Sequence, residues 1–194
     1  MFSRHHNIIL ASQSPRRRKL ILLIVENPSY MRVDSDENIL PKEAPYKAVQ
    51  RISAEKLAIA RSRHREGIII TADTIVVLDG KILGKPKDST EAFRMLKTLS
   101  NRTHTVYTGF TVCNSANGRR VTGYEKTRVS FRHLGEDEIR RYVSSGSPMD
   151  KAGAYGIQDD YGAVFVKKIV GCYYNVVGLP LSRIYQSISS VISE

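Results

Sequence analysis

An α/β protein built on a mixed sheet is the fold this sequence predicts, and three observations carry the prediction. Over the first half of the chain, short apolar runs suited to strands alternate with longer stretches suited to helices. Turn signals such as Asp79-Gly80 and Asn114 to Gly118 multiply through the middle and end, which favours hairpins beside the parallel strands. No repeat, low-complexity tract or long linker interrupts the 194 residues, and 41% of them are hydrophobic. One compact domain over residues 1–194, or two closely joined lobes around a cleft, is the simplest organisation.

The elements follow in order. Ile8 to Ala11 reads as a short buried strand. Ser14 then suits a helix N-cap, Pro15 suits the first helical position, and Leu20 to Ile24 continues apolar. A second strand at Tyr30 to Val33 leads into the acidic segment Asp34-Ser35-Asp36-Glu37, and a long helix follows from about Pro45 to His64. Ile68 to Ala72 is an apolar strand; Ile75 to Leu78 and Lys81 to Leu83 flank the Asp79-Gly80 turn. Asp88 or Ser89 caps a helix through Leu99. Strands are expected at Thr105 to Cys113, Gly118 to Phe131 and Ala163 to Ile169, with helices at Glu136 to Ser144 and near Leu181 to Ile192.

Composition narrows the function classes. No apolar run is long enough to span a bilayer, so a cytoplasmic protein without a membrane partner is expected. Cys113 and Cys172 are far apart and have no histidines at zinc-site spacing, which argues for packing roles. The formal charge of +11 predicts attraction to polyanions. It does not choose among nucleic acids, membranes and nucleotides, but aromatics are not interleaved with the basic clusters as a single-strand stacking platform requires.

The basic run Arg16-Arg17-Arg18-Lys19 lies where a helix least favours cations. The backbone N–H groups already make that end partially positive, so each cation there costs on the order of 0.3 to 1 kcal/mol unless an anion is bound. Ser12, Ser14 and the guanidiniums suit a phosphate cradle; a solvated basic run is the alternative. In the next helix Lys56 falls in the same stripe as Val49, Ile52, Ile59 and Ala60. Either its stem covers the core while the ammonium reaches water, or that face borders a ligand anion.

Asp73 follows Ile68-Ile69-Ile70-Thr71-Ala72, a place where a buried strand leaves the sheet and where α/β proteins meet ligands. Its carboxylate could act as a base toward water, hold a divalent cation or simply cap a turn. In Gly84-Lys85-Pro86 the lysine is presented on a tight loop. Asp34, Asp36 and Glu37 form an acidic island, either solvated or offering the oxygen ligands Mg²⁺ uses. The small-residue segment Asp150 to Gln158 lets backbone approach a flat ligand, with Tyr155 for packing and Gln158 for paired contacts to a base edge; a tight structural loop is the alternative.

Together these blocks resemble the Maf family of nucleoside-triphosphate pyrophosphatases, also called septum formation proteins. The resemblance spans nearly the whole chain and rests on Ser12-Gln13-Ser14-Pro15-Arg16-Arg17, Glu55-Lys56, Ala72-Asp73-Thr74, Gly84-Lys85-Pro86, Asp150 to Gln158 and Val177-Gly178-Leu179-Pro180. It implies an elongated α/β fold with a mixed sheet and a deep cleft, similar to the inosine triphosphate pyrophosphatases, and a homodimer. It also implies divalent-metal-dependent cleavage, with Mg²⁺ or Mn²⁺, of a nucleoside triphosphate to the monophosphate and pyrophosphate.

By this resemblance Asp73 is the general base, Glu37 and Asp73 hold metal, and Lys56 and Lys85 bind the triphosphate. Ser12, Ser14 and Arg17 complete the phosphate cradle. Arg16, Thr74 and Gln158 occupy the positions that separate substrate classes. Their combination looks like the subgroup acting on dTTP and UTP and unlike the 7-methyl-GTP subgroup, which carries Trp and Gln at the first two. Asp159-Asp160-Tyr161 departs from a shorter glycine-rich continuation and predicts a different cleft rim. A non-enzymatic protein that binds nucleic acid or a division complex is the competing class.

Overall fold

The computed structural model describes Phe2 and residues 7–158 and 161–193. A seven-stranded mixed sheet carries flanking helices. Its strands are β1 (Ile8–Ala11), β2 (Ser29–Met31), β3 (Ile68–Leu78), β4 (Lys81–Leu83), β5 (Thr103–Asn114), β6 (Arg120–Phe131) and β7 (Val166–Val170). The order is β2-β1-β3-β5-β6-β7, with β4 paired to β3. β1 runs parallel to β2 and β3, in register Leu10 with Tyr30 and Leu10 with Ile70. β4 runs antiparallel to β3, and β7 to β6. Six α-helices accompany them among the described residues: α1 (Pro15–Ile21), α2 (Pro45–Arg63), α3 (Ser89–Leu99), α4 (Glu136–Ser144), α5 (Tyr173–Val177) and α6 (Leu181–Ile192).

The chain divides into two compact units. The first comprises Met1–Asp73, Thr108–Glu125 and Gly178–Glu194; the second comprises Thr74–Tyr107 and Lys126–Val177. The first has a core of Ile9, Ala11, Met31, Val33, Leu57, Ala60, Ile69 and Cys113, which joins the strands to α2. Gly109 on β5 permits that approach: a Cβ there would lie 2.2 Å from the Val49 carbonyl oxygen of α2. In α6 the buried residues Leu181, Ile184, Ile188 and Val191 repeat at helical spacing and form one apolar stripe.

The second unit is organised by aromatic rings. Phe131 meets Tyr155 edge-to-face at 4.8 Å, and Tyr142 meets Phe165 in the same way at 5.0 Å. Asp88, the cap at the start of α3, accepts from the Glu91 N–H at 2.7 Å, and Glu91 accepts from the Lys87 N–H at 2.7 Å. Lys97 of α3 pairs with Glu136 of α4 at 2.6 Å.

Three local differences from the sequence expectation have physical causes. Ile68 to Ala72 and Ile75 to Leu78 are one strand, so Asp73 lies within β3 rather than after it. The β-branched residues Thr71, Thr74, Ile75, Val76 and Val77 favour extension, and the buried carboxylate has a cationic partner described below. The expected strand end does exist on one side, because the partner β1 stops at Ala11. α1 ends at Ile21, and Leu22 and Leu23, about half exposed, lie in the turn that follows. Asp150 to Gln158 starts at the last residue of a 3₁₀ turn over Ser147–Asp150 and contains a second over Ala152–Ala154, and the short helix α5 has too few residues for a periodic signal.

Candidate active site

Alternation along β3 points Thr71 and Asp73 to the same face, and α2 covers that face. The Thr71 hydroxyl donates to the Ser53 carbonyl at 2.7 Å, and the Ser53 hydroxyl lies 3.0 Å from that of Thr111. One helical turn beyond Ser53, Lys56 reaches the next site on that face of β3: its Nζ donates to Asp73 Oδ1 at 2.7 Å. The same ammonium donates to Glu37 Oε1 at 2.6 Å. Lys56 and Asp73 are only 6% and 5% exposed. The ammonium is therefore held by two carboxylates in a largely buried side chain, and the reading in which Lys56 merely covers the core is replaced by an ion cluster.

Burying these charges is poor value as stability. Desolvation costs several kcal/mol per ion, and well-packed apolar residues often serve a fold equally well. Two buried, oppositely charged side chains brought together in this way mark a candidate functional site.

Arg17 joins the cluster from α1. Its Nε donates to the Gly178 carbonyl at 2.7 Å and its Nη1 to the Ala72 carbonyl at 2.8 Å, next to Asp73. Burial pulls the guanidinium below its ordinary pKa, while the fields of Asp73 and Glu37 work in the other direction. Ser12, itself buried, accepts from Arg17 Nη1 at 3.4 Å and from the Ser14 N–H at 3.2 Å. Ser14 is the N-cap of α1 and accepts from the Arg17 N–H at 3.4 Å. Within the first unit, then, Ser12, Ser14, Arg17, Glu37, Lys56 and Asp73 form one connected group: Lys56 joins the two carboxylates, and Arg17 reaches the peptide beside Asp73. Arg16 is half-buried on α1. Arg18 stacks over the Tyr30 ring at 5.1 Å, and Lys19 is exposed.

The acidic island splits by role. Asp34 accepts from Gln13 Nε2 and, at 3.1 Å, from Arg32, and these hydrogen bonds hold its carboxyl below the usual range. Only Glu37 of the island is bonded to Lys56. Glu55, the neighbour of Lys56, instead pairs with Arg51 at 2.9 Å, and Arg51 also holds Glu43 at 2.8 Å.

The remaining sequence candidates belong to the second unit. Thr74 follows Asp73 on β3 and is half-buried; Lys85 is exposed after β4; Gln158 is half-buried. The Gly153 N–H donates to the Gly84 carbonyl at 3.0 Å, tying the Lys85 loop to the Gln158 segment. A Cβ on Gly156 would lie 2.9 Å from Lys151 Cε, so glycine leaves room there for the lysine stem. Lys151 is buried and holds Asp150 at 2.9 Å and the Ser147 hydroxyl at 3.1 Å. Tyr155 packs within the second unit. It is buried, with its hydroxyl 2.7 Å from His104 Nε2, and burial pushes its phenol pKa up. Asp159 and Asp160 of the expected rim lie outside the described residues.

Sequence reasoning gave Gly178 no part in the site. Its place in Val177-Gly178-Leu179-Pro180 was visible, but the use of its carbonyl as an acceptor for Arg17 required the folded chain.

Two carboxylates already share one cation, which suits a hard divalent ion: Mg²⁺ commonly takes one or two protein carboxylates and completes its shell with water and substrate phosphate. Among the described residues, no group of three or more His, Cys, Asp or Glu side chains could hold a metal, so a cation on Glu37 and Asp73 would take its other ligands from elsewhere, such as water or substrate. Among those residues, too, no helix is long and apolar enough to cross a membrane.

Residues 7–191 match the family described as Maf-like protein. A dTTP/UTP pyrophosphatase of Syntrophomonas wolfei is 47% identical over 176 residues, covering 91% of this chain and 93% of the relative. One of Chlorobium luteolum is 46% identical over 190 residues, covering 96% and 97%. One of Carboxydothermus hydrogenoformans is 45% identical over 181 residues, covering 93% and 96%. With the family match spanning nearly the whole chain and these similarities covering more than nine-tenths of each relative, the chain belongs to the Maf family.

Proposed function

We propose that this protein is a nucleoside triphosphate pyrophosphatase acting on dTTP and UTP, releasing the nucleoside monophosphate and pyrophosphate. The observation that carries the reading is the cluster of buried Lys56 and Asp73 with the more exposed Glu37, beside Arg17 and two serines, in a chain whose relatives, matched over nearly their whole length, bear that name. Asp73 accepts the proton of the attacking water, whose oxygen bonds to phosphorus as the α–β anhydride bond breaks and pyrophosphate departs. Lys56 and Arg17 supply fixed positive charge for the oxygens on which negative charge accumulates, with no solvent reorganisation during the reaction. Ser12 and Ser14 offer hydroxyl protons to phosphate oxygens. Glu37 and Asp73 would hold a divalent cation, Mg²⁺ or Mn²⁺, which when bound supplies Lewis-acid neutralisation of the phosphates.

Lys85 is assigned to the triphosphate, and Arg16, Thr74 and Gln158 to the choice of base, on the family resemblance. The Gln158 amide offers both a donor and an acceptor, matching the imide edge of thymine and uracil. The whole chain acts as one catalytic domain in the cytoplasm, as a homodimer.

A nucleotide panel with Mg²⁺ or Mn²⁺ tests this. Monophosphate and pyrophosphate should form fastest from dTTP and UTP. A preference for 7-methyl-GTP would overturn the substrate, and no turnover of any triphosphate would overturn the activity. Asp73→Asn, which keeps the shape of the side chain, should lower kcat by about 10²- to 10⁴-fold while the circular dichroism spectrum stays native. Full activity in that variant would remove Asp73 as the base.

A further inference from the structure

Two cations accompany the two carboxylates of the cluster, and they are held in different ways. Arg17 is fixed by backbone carbonyls: Nε and Nη1 donate to Gly178 and Ala72, two points far apart in sequence. Lys56 is held through its ammonium, by Glu37 at 2.6 Å and Asp73 at 2.7 Å. A lysine ammonium is a compact point charge on a flexible four-carbon stem, so it can change partners by rotating side-chain bonds while α2 stays in place. The Glu37 side chain is 44% exposed, whereas those of Lys56 and Asp73 are 8% and 7% exposed, so the open side of the cluster is the Glu37 side.

We infer that Lys56 is a resident counter-ion: it holds Glu37 and Asp73 until substrate arrives, then yields the carboxylates to the divalent ion and turns its ammonium to the phosphates. This rests on the pyrophosphatase reading above. The physical reason is charge. With Lys56 between them, the carboxylates already have a cation at hydrogen-bond distance, so a free divalent ion must displace it and leave an ammonium in a dry site without a carboxylate. When polyphosphate enters with the ion, it supplies the ammonium with new acceptors and removes that cost. Metal and nucleotide therefore strengthen one another's binding, and the coupling is reciprocal. Without nucleotide, Lys56 also keeps a cation at hydrogen-bond distance from the buried Asp73 carboxylate, so Asp73 is not left as an isolated charge.

The test reads metal binding to the full-length protein without nucleotide, by Mn²⁺ titration followed by electron paramagnetic resonance or calorimetry. Lys56→Met removes the competing cation and should tighten Mn²⁺ on the order of tenfold or more relative to the unmodified protein. Lys56→Arg retains a cation and should bind Mn²⁺ as weakly as the unmodified protein. Equal or weaker Mn²⁺ binding by Lys56→Met overturns the inference, because Lys56 would then only position the carboxylates. A measurement on the unmodified chain covers the case in which Lys56→Met does not fold. The ¹H–¹⁵N signal of the Lys56 ammonium should be unmoved by Mg²⁺ alone and shifted by Mg²⁺ with a non-hydrolysable triphosphate. A full shift with Mg²⁺ alone overturns the inference. Neither readout uses turnover, so a protein that tightens Mn²⁺ in Lys56→Met but cleaves no triphosphate would refute the activity and leave the exchange standing.

Discussion

His104 makes the second unit sensitive to acid, by an amount the structure sets. The imidazole is 1% exposed, with Nε2 2.7 Å from the Tyr155 hydroxyl and the Phe131 ring edge-to-face at 5.0 Å. Nδ1 is buried and has no hydrogen-bond partner among the described residues. Protonation would put a charge among aromatic rings and an N–H where no acceptor waits, and burial lowers the pKa from 6.5 to about 4. The folded-state pKa lies below the unfolded one, so the unfolded chain takes up the proton first as pH falls. Stability from this group is fully present above the unfolded pKa, falls from about pH 6.5, and is lost by about pH 4. Linkage gives a loss of about 2 kcal/mol between pH 7.5 and 5.0. For a chain of this size that is roughly 4 to 8 °C in Tm. His104→Gln keeps a polar contact for Tyr155 and cannot titrate. Urea unfolding of both proteins at the two pH values isolates the histidine, because the other titrating groups are shared. The unmodified protein should lose about 2 kcal/mol more than His104→Gln over that interval. An equal loss in both would refute the account.

Two further outcomes follow from particular contacts. Gly109→Ala places a Cβ 2.2 Å from the Val49 carbonyl, so α2 must move off β5. Urea denaturation should show a loss of about 2 kcal/mol or more, and turnover should fall too, because Lys56 travels with α2. Gln158→Leu removes the base-edge amide and should cost about tenfold or more in kcat/KM for dTTP and UTP. If the ratio of dTTP to dATP turnover is unchanged, Gln158 does not read the base.

Much of the fold was legible locally. The bounds of α4 and α6 follow from their own periodicity and turn signals, and Ser14 and Asp88 cap helices as their chemistry predicts. The site was legible as residue types in order: Ser12, Ser14, Arg17, Glu37, Lys56 and Asp73 were all identifiable before their contacts were. Tyr155 was legible as a packing residue, but a tyrosine among small residues looks the same in sequence whether it packs on a ligand or fills a core.

The sequence by itself determined the family, through six short blocks in fixed order, and most of the strands and helices. Only the tertiary structure decided that Lys56 turns inward to two carboxylates, that Arg17 spans from Ala72 to Gly178, and that Tyr155 packs against His104 and Phe131. The reason is range. Periodicity reports which face of an element is buried, because neighbours three or four residues apart share that face. Which groups wait opposite it depends on how distant strands and loops are brought together, and a charged side chain on a buried face takes its role from those partners.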